Sequence, residues 1–210
     1  MKKLLTTISL ALTLCLSLTT VFAAPSINKN GAVKKDSILI NGEKVDANTT
    51  AAFDSKKETY SAAGVSDETI DVIEKVNANP SQLASLIKGV DLSGYSLLTE
   101  FQDLSVYVNG ELKQKVKNVT LTWEVPNLVK TAKNVKVLHY STERNTWEIL
   151  TPKSVDFDNK TITQEFKDLS PVAVIYQAGD ANANKNGTKA NSTKTGDSTN
   201  VMPFVALGVV

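Results

Sequence analysis

A single histidine, His139, stands in the whole chain, between Leu138 and Tyr140 in a stretch that reads as a strand. Imidazole is the side chain best suited to move protons near neutral pH or to ligate a transition metal. A zinc site needs partners, and no second histidine and no nearby cysteine can complete one. His139 is therefore expected to be a packed, hydrogen-bonded strand residue. The run "DFDNK", residues 156–160, brings carboxylates and an amide together as a calcium loop does. It lacks the glycine and the distal glutamate of such a loop, so Asp158-Asn159 is expected to form a β-turn. Aromatic rings carry a third kind of chemistry. Trp147, Tyr140 and Tyr107 fall at or near turns, where ring faces can meet sugars, whereas Trp123 falls on the inward register of a strand and is expected in the core. No catalytic, cofactor-binding or metal-ligating residue is expected from this set, and no cofactor.

These side chains need elements to hold them, and the first 23 residues are not among those elements. Lys2 and Lys3, an apolar stretch over residues 4–18 and the small-residue end Val21-Phe22-Ala23 have the three parts of a secretory signal. Signal peptidase is expected to cut between Ala23 and Ala24. Cys15 has Leu14 before it, where a lipidation site needs a small residue, so it reads as part of the apolar stretch. The mature chain then has no cysteine, which removes disulfides and thiolate chemistry together. Roughly 185 residues remain, enough for one ordinary domain with tails. With 23 basic and 22 acidic residues there is no excess of charge to attract nucleic acid.

Residues 24–65 are polar and aperiodic, with a loop expected over 47–64 and a short hairpin around Asn41-Gly42. Two helices follow. The first starts at Ser66 and carries Ile70, Ile73 and Val76 on one stripe; the second runs from an Asn79 cap through Pro80 to a stop at Gly89. Residues 97–176 read as strands throughout. "VTLTWEV" alternates, with Val119, Leu121, Trp123 and Val125 inward; Asn109-Gly110 marks a hairpin; "PVAVIY" is apolar on both faces, as a central strand is. Short strands at about 8–12-residue spacing indicate an antiparallel β-sandwich. The expected fold is mainly β with a small helical part (α+β), in which an N-terminal helical hairpin caps the sandwich over residues 66–177. A flexible spacer is expected over 178–193, where Ala, Asn, Gly, Lys and Thr dominate.

The stretch "VKVLHYSTERNTWEILTPKSVDFDNKTITQEFKDLSPVAVIY" resembles a largely uncharacterised β-domain of surface proteins from Gram-positive Clostridia and their relatives. The resemblance covers residues 67–210 and implies a place at the cell surface. The segment Asp168-Leu169-Ser170 more loosely resembles the GAIN autoproteolytic domain, in which a hydroxyl attacks its own preceding peptide bond. That implies self-cleavage between Leu169 and Ser170, although Asp168 stands where the GAIN family has its histidine and Pro171 follows. The tail, "KTGDSTNVMPFVALGVV", is similar to a sortase sorting signal, with Thr195-Gly196 at the cleaved bond and Ser192-Thr193 in place of Leu-Pro. Its ten apolar residues span only ~15 Å as a helix, about half a bilayer core, so a continuation past Val210 is expected. The implied protein is an exported, non-enzymatic surface module, anchored to wall or membrane. Its partners would be signal peptidase, sortase with peptidoglycan, and a surface ligand, glycan or protein. The alternatives are a self-cleaving domain and a simply secreted carbohydrate-binding module.

Overall fold

The computed structural model of the chain describes residues 24–113 and 115–178. The expected signal segment up to Ala23, the spacer beyond residue 178 and the Thr195-Gly196 bond lie outside the described residues. In chain order the elements are β1 (Leu39–Ile40), β2 (Glu43–Lys44), β3 (Thr49–Asp54), α1 (Lys57–Ala62), α2 (Asp67–Ala78), α3 (Leu83–Leu86), β4 (Tyr95–Leu97) and β5 (Gln102–Val108). They continue with β6 (Glu111–Lys113), β7 (Lys117–Glu124), β8 (Ala132–Ser141), β9 (Thr146–Leu150), β10 (Ser154–Asp156), β11 (Thr161–Asp168) and β12 (Pro171–Ala178).

The strands form two antiparallel sheets. One has the order β10-β11-β7-β1-β2; the other has the order β3-β5-β12-β8-β9, with β4 also on β12 and β6 also on β5. Between them lies a core built on alternation. Val119, Leu121 and Trp123 of β7 face Leu104 and Val106 of β5 and Val172 and Val174 of β12, while Glu124 is exposed and Thr122 is half-buried. The other face of the seven-stranded sheet presents Leu138, Ala173 and Ile175 to a second cluster containing Ile70, Ile73, Val76 and Leu83 of the helices. The layers are therefore sheet, sheet and helices, and the mainly-β sandwich with a small helical part is the observed fold. β12 is apolar on both faces because it is covered on both.

Local chemistry explains the elements. The side chain of Ser66 accepts the Thr69 N–H at 3.3 Å and caps α2, and Asp67 and Glu68 sit in its positive first turn. The second helix is shorter than its sequence indicates: residues 80–82 form a 3₁₀ turn, α3 lasts four residues, and Ile87 is already extended. Asn79 accepts from the Ser81 hydroxyl at 2.6 Å instead of capping a backbone N–H. Asn41-Gly42 and Asn109-Gly110 both have two positive φ angles in succession, the type I′ geometry that matches strand twist.

The expectation of a loosely structured segment over 24–65, with a loop over 47–64, is overturned. β3 pairs with β5 along its whole length, from Thr49 opposite Val108 to Asp54 opposite Asp103. Its inward residues are Thr49, Ala51 and Phe53, and the alanines hide the two-residue period by being small. Upstream, the chain runs along β7: Gly31 N–H donates to Glu124 O at 2.8 Å, and Lys34 N–H donates to Thr122 O at 2.8 Å. A Cβ on Gly31 would meet Glu124 Cβ at 2.8 Å, so this approach requires glycine. Asn30 joins the layers. Its Oδ1 accepts from Trp123 Nε1 at 3.0 Å, and its backbone N–H donates to Gln102 Oε1 at 2.7 Å. A boundary at residue 66 would cut through these contacts.

Candidate functional site

The inward positions of a β-sandwich are ordinarily apolar. Here they turn polar at one rim. On β8, Val135 and Val137 face the core, so the two-residue period carries His139 inward, and its ring lies 5.6 Å from that of Phe166. Glu148 of β9 is paired with His139 and shares its face. On β11, Ile162 and Phe166 are core residues, so Gln164 and Asp168 point inward between and after them. Ser170 enters β12 two residues before the inward Val172. β9 closes one sheet and β10-β11 the other, so these residues gather where the sandwich opens to water.

The sharpest contact is between Ser170 Oγ and His139 Nε2, at 2.9 Å, with Glu148 Oε2 3.6 Å from Nδ1 on the far side of the ring. Hydroxyl, imidazole and carboxylate in this order have the pattern of a nucleophile, its base and an orienting acid. Proton bookkeeping decides what they do. Ser170 Oγ also makes a short hydrogen bond to the Tyr140 carbonyl, and a carbonyl can only accept. With the Ser170 hydrogen given to Tyr140, the His139 contact is closed in the tautomer whose Nε2–H donates to Ser170 Oγ. In that tautomer Nδ1, which is buried without a hydrogen-bond partner, carries a lone pair. A nucleophilic relay needs the opposite tautomer, with Nδ1–H toward Glu148 and Nε2 accepting from serine. In either tautomer the contacts of Ser170 tie the β11-β12 corner to β8.

Arg144, in the β8-β9 turn, bridges the rim. Its Nη2 lies 2.9 Å from Glu148 Oε2 and 2.9 Å from Asp168 Oδ1. Burial lowers the pKa of His139, and the negative charges of Asp168 and Glu148 oppose that shift. Two further inward acceptors have no partner, Gln164 Oε1 and Asp168 Oδ2, each on a residue that is 4% exposed. An open cleft of about 480 Å³ lies alongside, lined by His139, Arg144, Glu148, Lys153, Gln164 and Lys167 among others.

The sequence-predicted residues are distributed differently. His139 is indeed packed, 1% exposed, and hydrogen-bonded. Trp123 is core, and Leu169 packs half-buried against the same core. The aromatic trio is not brought together. Trp147 lies edge-on to Tyr140 at 5.1 Å and to Phe101 at 5.2 Å, packed under the helices, while Tyr107 sits on β5, with β12 and β8 between it and β9. At "DFDNK", Asp156 Oδ1 accepts the backbone N–H groups of Asp158 at 3.0 Å and Asn159 at 2.9 Å, which closes a turn. Among the described residues no group of three or more His, Cys, Asp or Glu side chains is placed to hold a metal ion. No described helix is long and apolar enough to cross a membrane. Arg144, Glu148 and Gln164 play no part in the sequence reading above, and Asp168 enters there only through the GAIN resemblance. Counting the alternation from Leu150 and from Phe166 would have turned Glu148 and Gln164 inward.

Asp103, on the helix side of β5, is a separate buried carboxylate. It is 1% exposed; Oδ2 accepts from Ser105 Oγ at 2.7 Å, Oδ1 has no partner, and burial pushes its pKa up to about 6. A carboxyl raised from 3.8 stabilises the fold fully below pH 3.8, and that contribution is lost as pH climbs through about 6. His139 has the opposite sign: its lowered pKa supports the fold above its ordinary value of 6.5 and withdraws that support as pH falls. Asp103→Asn is therefore expected to raise stability at pH 7.5 by on the order of 2 kcal/mol. Urea melts from pH 4 to 8 should show stability rising with pH in the variant. A wild-type curve and a variant curve of equal slope between pH 4 and 6 would overturn the assignment.

Comparison with protein-family models, with curated protein sequences and with solved structures gave no match for this chain.

Proposed function

We propose that the chain is an exported module without catalytic activity, held at the surface of a Gram-positive cell by its tail and engaged in binding or envelope structure. The observation that carries the non-catalytic reading is the commitment of the Ser170 hydroxyl to the Tyr140 carbonyl, which leaves the nearby imidazole no proton to accept from it. The location is supported by the leader ending at Ala23 and by the Thr195-Gly196 tail. Expression in a sortase-bearing Gram-positive host, followed by fractionation, tests it. Wild type should appear in the wall fraction without its leader, and Gly196→Ala should move to membrane or medium. Retention of the uncut leader in the cytosol sinks the proposal, and equal wall attachment of both chains removes the role of the Thr195-Gly196 bond.

Self-cleavage is the competing reading, favoured by the same 2.9 Å contact between Ser170 and His139. In that reading Ser170 Oγ attacks the Leu169 carbonyl carbon, the Leu169–Ser170 C–N bond breaks as the amine takes up a proton, and water then hydrolyses the resulting ester. It requires the His139 tautomer that the Tyr140 carbonyl disfavours. Intact mass of the purified chain over several days at pH 6–9 is expected to show one uncut species, indistinguishable in time course from Ser170→Ala. Two fragments meeting at Leu169 and Ser170 in wild type alone would establish cleavage.

A further inference from the structure

The geometry points to the open cleft between β9 and β11 as a binding site for a neutral, polyhydroxylated ligand, a saccharide, held by hydrogen bonds rather than by aromatic stacking. The inference deepens the reading of the chain as a binding module and rests on it.

Three observations carry it. The cleft is about 480 Å³, within the roughly 300–1,000 Å³ common to small-molecule sites. Two buried side chains that line it, His139 and Gln164, each keep an acceptor atom without a partner, Nδ1 and Oε1. Buried polar atoms are nearly always hydrogen-bonded, and both of these call for a donor. The charges then select among donors. Arg144, Lys153 and Lys167 disfavour an ammonium ligand, while Glu148, Glu165 and the inward Asp168 disfavour an anion, which in any case brings no hydrogen to give. A neutral sugar fits both demands, because each hydroxyl donates to one atom and accepts from another. On binding, the Gln164 amide would turn its buried Oε1 to the ligand's hydroxyls, and these would take from the Lys167 ammonium at the mouth. The aromatic rings cannot supply the alternative platform, since Trp147 and Tyr140 are packed against each other on the opposite face of the sheet.

The test uses the purified, secreted chain on an array of neutral glycans, followed by amide-shift titration with the best-bound oligosaccharide, or with cellobiose, chitobiose and maltose if the array is silent. Shifts should concentrate at residues 148–151 and 164–167. Gln164→Leu should bind about tenfold more weakly, the loss of one well-buried hydrogen bond. Trp147→Phe should bind like wild type. Shifts centred on Trp147 and Tyr140, or none with any sugar, would overturn the inference and leave the cleft a water-filled rim. The wild-type shift map stands even if Gln164→Leu proves unstable. Because binding is measured on purified protein, failure here is separate from failure of surface display, which fractionation reads.

Discussion

Trp123→Ala is expected to lower the free energy of unfolding by ~3–5 kcal/mol, a large share of the ~5–15 kcal/mol typical of a domain. The indole is fully buried and packs against Phe53 at 5.8 Å and Phe166 at 6.2 Å, so its rings bridge both sheets. Its removal opens a cavity that β-strands cannot close by small shifts, and it strands Asn30 Oδ1 without the Nε1–H that it now accepts from. Trp123→Phe separates the two terms by keeping most of the volume and losing the hydrogen bond, and should cost about 1–2 kcal/mol. Thr122→Ala, on the other face of the same strand, removes only a part-buried hydroxyl contact with Thr163 at 2.8 Å and should cost on the order of 0.5 kcal/mol. Urea melts of the four proteins measure the series. A Trp123→Ala midpoint at or above that of Thr122→Ala would contradict the inward register of β7.

A chain shortened to residues 66–178 is expected not to fold at all. Sequence periodicity alone makes 66–177 look self-sufficient, because the strong apolar alternation and the helical stripe both lie there. The deletion would remove β3 and leave β5 a bare edge over residues 103–108, would remove β1 from the flank of β7, and would leave Trp123 Nε1–H and Gln102 Oε1 unpaired in the interior. It would also take away Tyr60, whose hydroxyl donates to the Phe101 carbonyl at 2.8 Å beneath the helices. Amide spectra of the 66–178 and 25–178 chains give the answer directly. Dispersed peaks and a cooperative melt for the shorter chain would show that the N-terminal ribbon is dispensable.

Most of the scaffold was legible in the sequence because its signals are local. The β7 alternation, the two Asn-Gly turns, the Ser66 cap and the doubly apolar β12 each depend on a few neighbouring residues, and each holds. What sequence did not disclose is carried by small or distant partners. β3 hides its period in alanines, and the Asn30-Trp123 contact spans 93 residues. Polar residues on inward registers, Glu148, Gln164 and Asp168, are easily mistaken for surface in a chain read one strand at a time. The Ser170-His139 pair required the β8-β12 register, Val172 opposite His139, before either residue had a reason to be considered with the other.

β12 sits between β5 and β8, which do not pair with each other, and it also receives β4. It is the last strand among the described residues to be made. A chain that emerges N-terminus first, from a ribosome or across a membrane, must therefore hold β3, β5, β8 and β9 in reserve until residues 171–178 arrive to join them. Closure waits on contacts distant in sequence, which slows folding toward the millisecond-to-second range of β-rich domains. During that interval apolar sheet faces and open edges are uncovered, and the exposure to aggregation that this brings ends only when the final strand is delivered.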